Sequence, residues 1–211
     1  MVPAMPTTKP LLGPRAAGAY AVVLALVSAG AALVAAVLLV QGLIRDAADV
    51  WVDLSDRVRL DLDDRLDLPE GATLLGNLIP VRLHVPDLPL GLRLLAQSGD
   101  VVLFLAIATG ALALAQVLRT VRTGRPFARR NPTWLAVVAV AVVAGGILAP
   151  VLREAAAVAA LEHLGVLSDG SRFTVVTSFS LAPVALAVVI LGVAEAFRRG
   201  AAMAADVDGL V

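Results

Sequence analysis

Four long apolar runs alternate with polar segments along the chain. The first, YAVVLALVSAGAALVAAVLLVQGL at residues 20–43, carries no charge. As a helix that rises about 1.5 Å per residue, it measures about 36 Å. The hydrocarbon core of a bilayer is roughly 30 Å thick, so this run is long enough to cross it. We therefore expect a first transmembrane helix within residues 16–44.

The second and third runs predict two further transmembrane helices. The second helix is expected over residues 100–118, where Ser98 and Asp100 are typical caps for the free N–H groups of a helix start. The third is expected over residues 134–152, and it begins at Trp134 because indole rings favour the membrane interface. Both runs are just long enough to cross.

The fourth run predicts the last transmembrane helix over residues 173–197. Pro183 lies within it, and a proline inside a helix removes a backbone hydrogen bond, so we expect a kink there. The four runs together predict an all-α membrane fold, a four-transmembrane-helix bundle with a small cap between helices 1 and 2.

Small residues recur four apart in the first and last predicted helices, at Ser28, Ala32, Ala36, Gly192, Ala196 and Gly200. Rows of this kind let helix backbones approach closely. We interpret them as packing seams inside one bundle, and they leave a homo-oligomer open.

The polar segment of residues 45–99 predicts a small β-containing cap. RVRLDLDDRLDL at residues 57–68 and VRLHVPDLPLGLRLL at residues 81–95 alternate polar and apolar residues, which is typical of strands with one buried face. The PEG and PDLP stretches supply turns. A short helix over residues 46–54 is expected to lead into the cap.

The segment between the third and fourth helices, residues 153–172, has the alanine and leucine content of a helix. It contains Gly165, and glycine is the residue type typical of the position just past a helix end. Such a helix either prolongs the third transmembrane helix or lies on the membrane surface.

The overall composition agrees with the membrane class. Hydrophobic residues make up 59% of the chain and the mean hydropathy is +0.90, which exceeds what a soluble domain normally carries. The formal net charge is zero, so we expect no direct contact with nucleic acid. Cysteine is absent, which excludes disulfides, thiolate metal ligands and cysteine nucleophiles.

Arginines in short connections predict the orientation. The connection of residues 119–133 has no acidic residue and holds Arg119, Arg122, Arg125, Arg129 and Arg130. Short loops rich in arginine stay in the cytoplasm. With four crossings, the disordered lead of residues 1–15 and the tail of residues 198–211 are then cytoplasmic as well, and the cap lies outside.

No residue type or spacing predicts catalysis or a metal site. Glu195 is the only acid inside any of the four runs, and an ion pair with Arg198 or Arg199 at helical spacing explains it. Zinc binding at His84 or His163 would need further ligands from distant loops. The DLDDRLD tract lacks the spacing of a calcium loop. We therefore expect a protein that is not an enzyme and holds no cofactor.

Two segments carry a resemblance to a known family: GRPFARRN at residues 124–131 and AEAFRRGAAMAADVDGLV at residues 194–211. They resemble the DUF2975 family of small bacterial four-helix membrane proteins, in which a G-x-P-F-x-x-x-N turn follows the second helix and an F-x-x-G element precedes an acidic end. The matching residues are Gly124, Pro126, Phe127, Asn131, Phe197, Gly200, Asp206, Asp208 and Val211. Val207 stands where the family has a polar residue.

The resemblance implies a multi-pass protein of the bacterial plasma membrane. The family has no established biochemical activity, and its members are often encoded beside a small helix-turn-helix regulator. It therefore implies a sensory or regulatory protein that couples the outer cap to a cytoplasmic partner. The alternative is a transporter or channel component.

The two matching segments are expected to form one inner surface. Its candidate residues are Gly124, Pro126, Phe127, Arg129, Arg130, Asn131, Phe197, Arg198, Arg199, Gly200, Asp206 and Asp208. We expect Asn131 to cap the third helix and the arginines to contact the tail aspartates or anionic lipid headgroups.

Overall fold

The computed structural model describes residues 13–54, 79–125, 127–166, 173–175 and 180–208. In chain order the elements are α1 (Pro14–Ile44), β1 (Ala48–Leu54), β2 (Ile79–Val85), α2 (Leu90–Arg122), α3 (Asn131–Val143), a π-helical turn (Ala144–Leu148), α4 (Ala149–His163), β3 (Phe173–Thr174) and α5 (Ala182–Asp208). The lead of residues 1–12 and the strand expected at residues 57–68 lie outside these ranges.

Three helices in the described ranges are long and apolar enough to cross a membrane: Arg15–Ile44, Leu90–Arg122 and Asn131–His163. They contain the first three apolar runs, so these three predictions are confirmed at the level of length and composition. α5 is not apolar enough to count with them, because Glu195, Arg198 and Arg199 interrupt its apolar stretch.

The fourth helix begins later than the sequence pattern predicts. Residues 173–197 were expected to be helical, but α5 starts at Ala182, and Phe173–Thr174 form a strand that pairs with β1. Threonine and valine are frequent just before α5, and β-branched residues favour extended backbone. Pro183 lies in the first turn, where its missing N–H costs no hydrogen bond, so the expected kink is wrong.

The cap contains a small sheet in the strand order β2-β1-β3, with both pairings antiparallel. The helix expected over residues 46–54 is wrong, since these residues form β1. Ala48, Val50 and Val52 are buried while Asp49 and Trp51 point to the exposed face, which is the two-residue period of a strand. The buried face packs on α4 through Ala157, Ala160 and Leu161.

α2 starts ten residues before its predicted beginning. β2 confirms the strand expected from residue 81, but the same pattern ends at Val85 and the helix begins at Leu90. Ser98 and Asp100 therefore lie inside α2, and the expected cap is wrong. Ser98 Oγ instead donates to the Leu95 carbonyl at 2.7 Å.

The early turns of α2 are charged, and their charges have partners. Arg93 Nη1 donates to the carbonyl of Arg45 at the end of α1 and to Asp46 Oδ1 at 3.0 Å. A cation at a helix C-terminus complements the negative end of the helix dipole. Further along, Asp100 Oδ1 lies 2.6 Å from Arg153 Nη2 on α4. Because these contacts compensate the charges of Arg93 and Asp100, α2 can include both residues ahead of its apolar stretch.

The third apolar run continues through the π-helical turn into α4, so the segment from residue 153 prolongs that helix. In the turn, the Ala149 N–H bonds the carbonyl of Ala144, five residues back. Pro150 follows and has no N–H to donate, which favours such a local widening of the helix. The helix ends at His163, and Gly165 adopts φ +67°, as expected for a residue just past a helix end.

The chain divides into two compact units. The first comprises Met1–Ala31, Ile107–Val142 and Val184–Val211, and the second comprises Ala32–Ala106 and Val143–Pro183. In the first unit Val117, Leu135 and Ala194 form a small apolar cluster. Ser28 Oγ there donates to the Ala108 carbonyl at 2.8 Å, so this member of the predicted small-residue seam faces a neighbouring helix.

Candidate functional site

The arginine-rich connection begins with a tight helix ending at Gly124. The Gly124 N–H donates to the Val121 carbonyl at 3.1 Å, and the Arg125 N–H donates to the Thr120 carbonyl at 2.9 Å. This pair of bonds is a Schellman motif, which requires a left-handed residue just past the helix. Gly124 has φ +72°, a conformation that glycine adopts without strain. We call residues 124–131 the basic turn.

The far end of the basic turn is fixed by a buried amide. Asn131 is fully buried at the start of α3, and its Nδ2 donates to Thr120 Oγ1 at 2.7 Å. The same hydroxyl lies 2.7 Å from the Val117 carbonyl, to which it donates. Asn131 thus links the first turn of α3 to the last turns of α2. Its expected role as a helix cap stays a prediction.

The basic turn packs against the second half of α5. The rings of Phe127 and Phe197 are tilted by 46° with centroids 5.7 Å apart, within the range of favourable aromatic pairs. A Cβ added to Gly200 would lie 2.7 Å from two atoms of the Phe127 ring. Glycine at this position therefore lets the ring lie directly on the helix. The two segments that carry the family resemblance are in contact.

The charges of this region are arranged in two groups. Glu195 accepts bonds from Arg198 Nε at 2.6 Å and from Arg199 Nε at 2.9 Å, so the expected ion pair is confirmed. Arg129 and Arg130 are exposed, and neither forms an ion pair within the part of the chain that the structure describes.

Three of the predicted surface residues are outside what the structure describes in side-chain detail. Asp206 and Asp208 lie in the last turns of α5, with only their backbone described, and Pro126 is not described. The expected contact between the arginines and these aspartates stays a prediction. We call residues 124–131 and 197–200 together the turn surface.

Sequence reasoning missed Thr120, which holds Asn131. A threonine in the last turn of a helix is common enough to give no signal, and only the contact across to α3 identifies its role. It also missed the contact of Gly18 with Arg122: a Cβ on Gly18 would lie 3.3 Å from Arg122 Cδ.

The other polar candidates remain isolated pairs. His84 Nδ1 and Asp49 Oδ1 lie 2.7 Å apart on the exposed face of the sheet, and His163 is exposed at the end of α4. Within the described ranges, no group of three or more histidine, aspartate or glutamate side chains could hold a metal ion.

Thr120→Val is expected to lower the free energy of unfolding by about 1–3 kcal/mol, because the buried Asn131 amide loses a hydrogen-bond partner. Thr123→Val is the matched control. Its hydroxyl also bonds a carbonyl three residues back, at 3.0 Å, but it is exposed and water can replace the bond. Thermal unfolding of both variants in detergent measures the difference. Equal losses would show that the Asn131 contact does not stabilise the fold.

Comparison with known proteins gives no relative. No protein-family model, no curated protein and no solved structure matches the chain. Membership of the DUF2975 family therefore stays a prediction that rests on the two short segments that meet in the turn surface.

Proposed function

We propose that the chain is a four-crossing protein of the bacterial plasma membrane, with both termini in the cytoplasm and the β-containing cap outside. Three helices have the length and apolar composition that crossing requires. α5 is the proposed fourth crossing. Its first half supports this, because residues 182–194 carry no charge.

The orientation rests on the basic turn. It is a short connection with arginines and no acid, and such connections stay on the side of the membrane where they are made. Arg198 and Arg199 in the second half of α5 are then on the same side. The Phe127–Phe197 contact agrees with this placement, since it brings the two arginine-containing segments together.

We further propose that the protein is a non-enzymatic sensory or regulatory membrane protein of the DUF2975 type. The cap detects a condition outside, and the turn surface binds a cytoplasmic partner, with a helix-turn-helix regulator as the leading class. The observation that carries this proposal is the turn surface itself: Phe127 is 48% exposed beside exposed arginines. Aromatic residues and arginines are the side chains enriched in protein interfaces.

Replacing Arg129 and Arg130 together with glutamine is expected to reduce partner capture at least about tenfold, because interface arginines are often among the residues that dominate binding. Cross-linking in intact cells followed by purification of the tagged full chain measures it. The matched control is Arg119→Gln with Arg122→Gln, which removes the same charge from the same connection outside the turn surface. The control is expected to capture the partner as well as the unmodified chain does.

Two results would contradict the proposal. One is a chain whose cross-linking yields no cytoplasmic protein. The other is an equal loss of capture in both double variants, because the effect would then follow charge alone and not the surface formed by Phe127 and Gly200.

A further inference from the structure

We propose that a groove between the start of α1 and the end of α2 binds the phosphate headgroup of an anionic phospholipid. The groove has a volume of about 510 Å³ and is lined by Arg15, Gly18, Ala19, Val22 and Arg122. Ligand pockets in proteins commonly span roughly 300–1,000 Å³, so a lipid headgroup fits the available space. This site is separate from the turn surface and does not depend on a protein partner.

The groove exists because α1 presents one continuous stripe toward Arg122. Residues 15, 18, 19 and 22 recur at three- and four-residue spacing, which places them on one face of a helix. A Cβ on Gly18 would lie 3.3 Å from Arg122 Cδ and 3.5 Å from Arg122 Nε. The glycine therefore lets the Arg122 side chain lie along α1, where its guanidinium shares the groove with Arg15.

The two arginines lack a compensating anion in the described ranges, where neither forms an ion pair. Arg15 is also in the first turn of α1, at the positive end of the helix dipole, where a cation is unfavourable. A bound phosphate would compensate the charge of both arginines, because it offers several acceptor oxygens to guanidinium groups. Its negative charge would also interact favourably with the positive end of the α1 dipole. The charge of the groove thus favours an anion.

The apolar surface beside the groove favours a lipid over a free anion. Val22 is 59% exposed, and Leu26, one helical turn further along α1, is 68% exposed. A phospholipid beside a crossing helix has its phosphate at the membrane surface and its acyl chains deeper in the bilayer. The groove and the exposed apolar residues follow each other along α1 in the same order. Basic pockets at the cytoplasmic ends of transmembrane helices bind anionic headgroups in this way. Inorganic phosphate would use only the arginines.

Binding of fluorescent phosphatidylglycerol to the full chain in detergent tests the proposal, with fluorescent phosphatidylcholine as the zwitterionic comparison. Arg15→Gln with Arg122→Gln is expected to weaken phosphatidylglycerol binding about 30-fold, because each arginine near a membrane surface contributes roughly a factor of five to anionic lipid binding. Arg45→Gln with Arg119→Gln removes the same charge outside both the groove and the turn surface and is expected to change binding little.

A second pair of variants tests the shape of the groove while both charges stay. Gly18→Leu fills the space beside Arg122 and is expected to reduce phosphatidylglycerol binding about fivefold, as displacement of one guanidinium implies. Gly30→Leu is the control on the same helix, because a Cβ there meets nothing within 4 Å. Equal binding by all four variants would overturn the proposal.

Two other results would also overturn it. Phosphatidylcholine that binds as tightly as phosphatidylglycerol would remove the role of charge. Inorganic phosphate that competes at the same concentration as phosphatidylglycerol would identify a free-anion site. The groove variants are expected to capture the cytoplasmic partner normally, so failure here and failure of the proposed function are distinguishable.

Discussion

Gly99→Ala is expected to lower the free energy of unfolding by about 1–3 kcal/mol, and Gly99→Leu by more, because either side chain overpacks a tight helix contact. A Cβ on Gly99 would lie 2.7 Å from the Ala149 carbonyl oxygen and 3.1 Å from the Arg153 backbone nitrogen. Both atoms belong to the backbone of α4, so no side-chain rotation relieves the clash. The helices must separate, and the nearby Asp100–Arg153 ion pair separates with them.

Thermal unfolding in detergent measures the loss, with Gly30→Ala as the control. A Cβ on Gly30 meets nothing within 4 Å. Alanine there is expected to leave stability unchanged or to raise it by up to about 1 kcal/mol, because glycine is the poorer helix former. Equal stability of the Gly99→Ala and Gly30→Ala proteins would mean that α2 and α4 do not approach each other as closely as described.

Cysteine at position 123 is expected to stay unlabelled by an impermeant maleimide in intact cells and to react fully after permeabilisation. Thr123 is exposed beside Gly124, on the side proposed to be cytoplasmic. The chain has no cysteine of its own, so a single engineered thiol reports one location. The expected difference is nearly all or none, because a charged reagent does not cross the bilayer.

Gly91→Cys supplies the opposite control. Position 91 is exposed at the start of α2, with open space around its Cβ, and it lies on the side proposed to be outside. It is expected to react in intact cells. Labelling at position 123 in intact cells would show that the orientation is the opposite of the proposed one. It would also remove the basis for a cytoplasmic partner at the turn surface.

The first three apolar helices could be predicted because an uncharged run of sufficient length is a local property of the sequence. Their ends could not. α2 extends through Arg93 and Asp100, whose charges are compensated by Asp46 and Arg153. These partners lie 47 and 53 residues away, so nothing near α2 in the sequence indicated that a helix could include such charges.

The strand β1 could have been predicted from its own sequence pattern, although we expected a helix there. ADVWVDL alternates apolar and polar positions in the same way as the segments assigned to strands, and Val50 and Val52 are buried accordingly. The late start of α5 had a weaker signal, a cluster of β-branched residues before Pro183. The strand β3, which precedes α5, pairs with β1 more than a hundred residues earlier, and only the folded chain reveals this pairing.

For the candidate site, charge predicted that the two segments lie on the same side of a membrane, but only the structure shows the contact between them. Phe127 and Gly200 are far apart in sequence, and a glycine gives no sign of which side chain will lie on it. Gly18 and Gly30 illustrate the limit. Both are glycines in the same apolar helix, yet one accommodates Arg122 and the other meets nothing within 4 Å.

As the proposed fourth crossing, α5 offers a bilayer fewer uncharged residues than the three longer apolar helices do. Residues 182–194 precede Glu195, and as a helix they measure about 20 Å, whereas hydrocarbon is roughly 30 Å thick. A crossing helix with such hydrophobic mismatch is accommodated by thinning of the lipid around it, whereas a crossing helix with a longer apolar stretch, such as the one in α1, is accommodated by tilting. The proposed four-crossing protein therefore deforms its membrane unevenly, and thinner membranes accommodate it at lower cost.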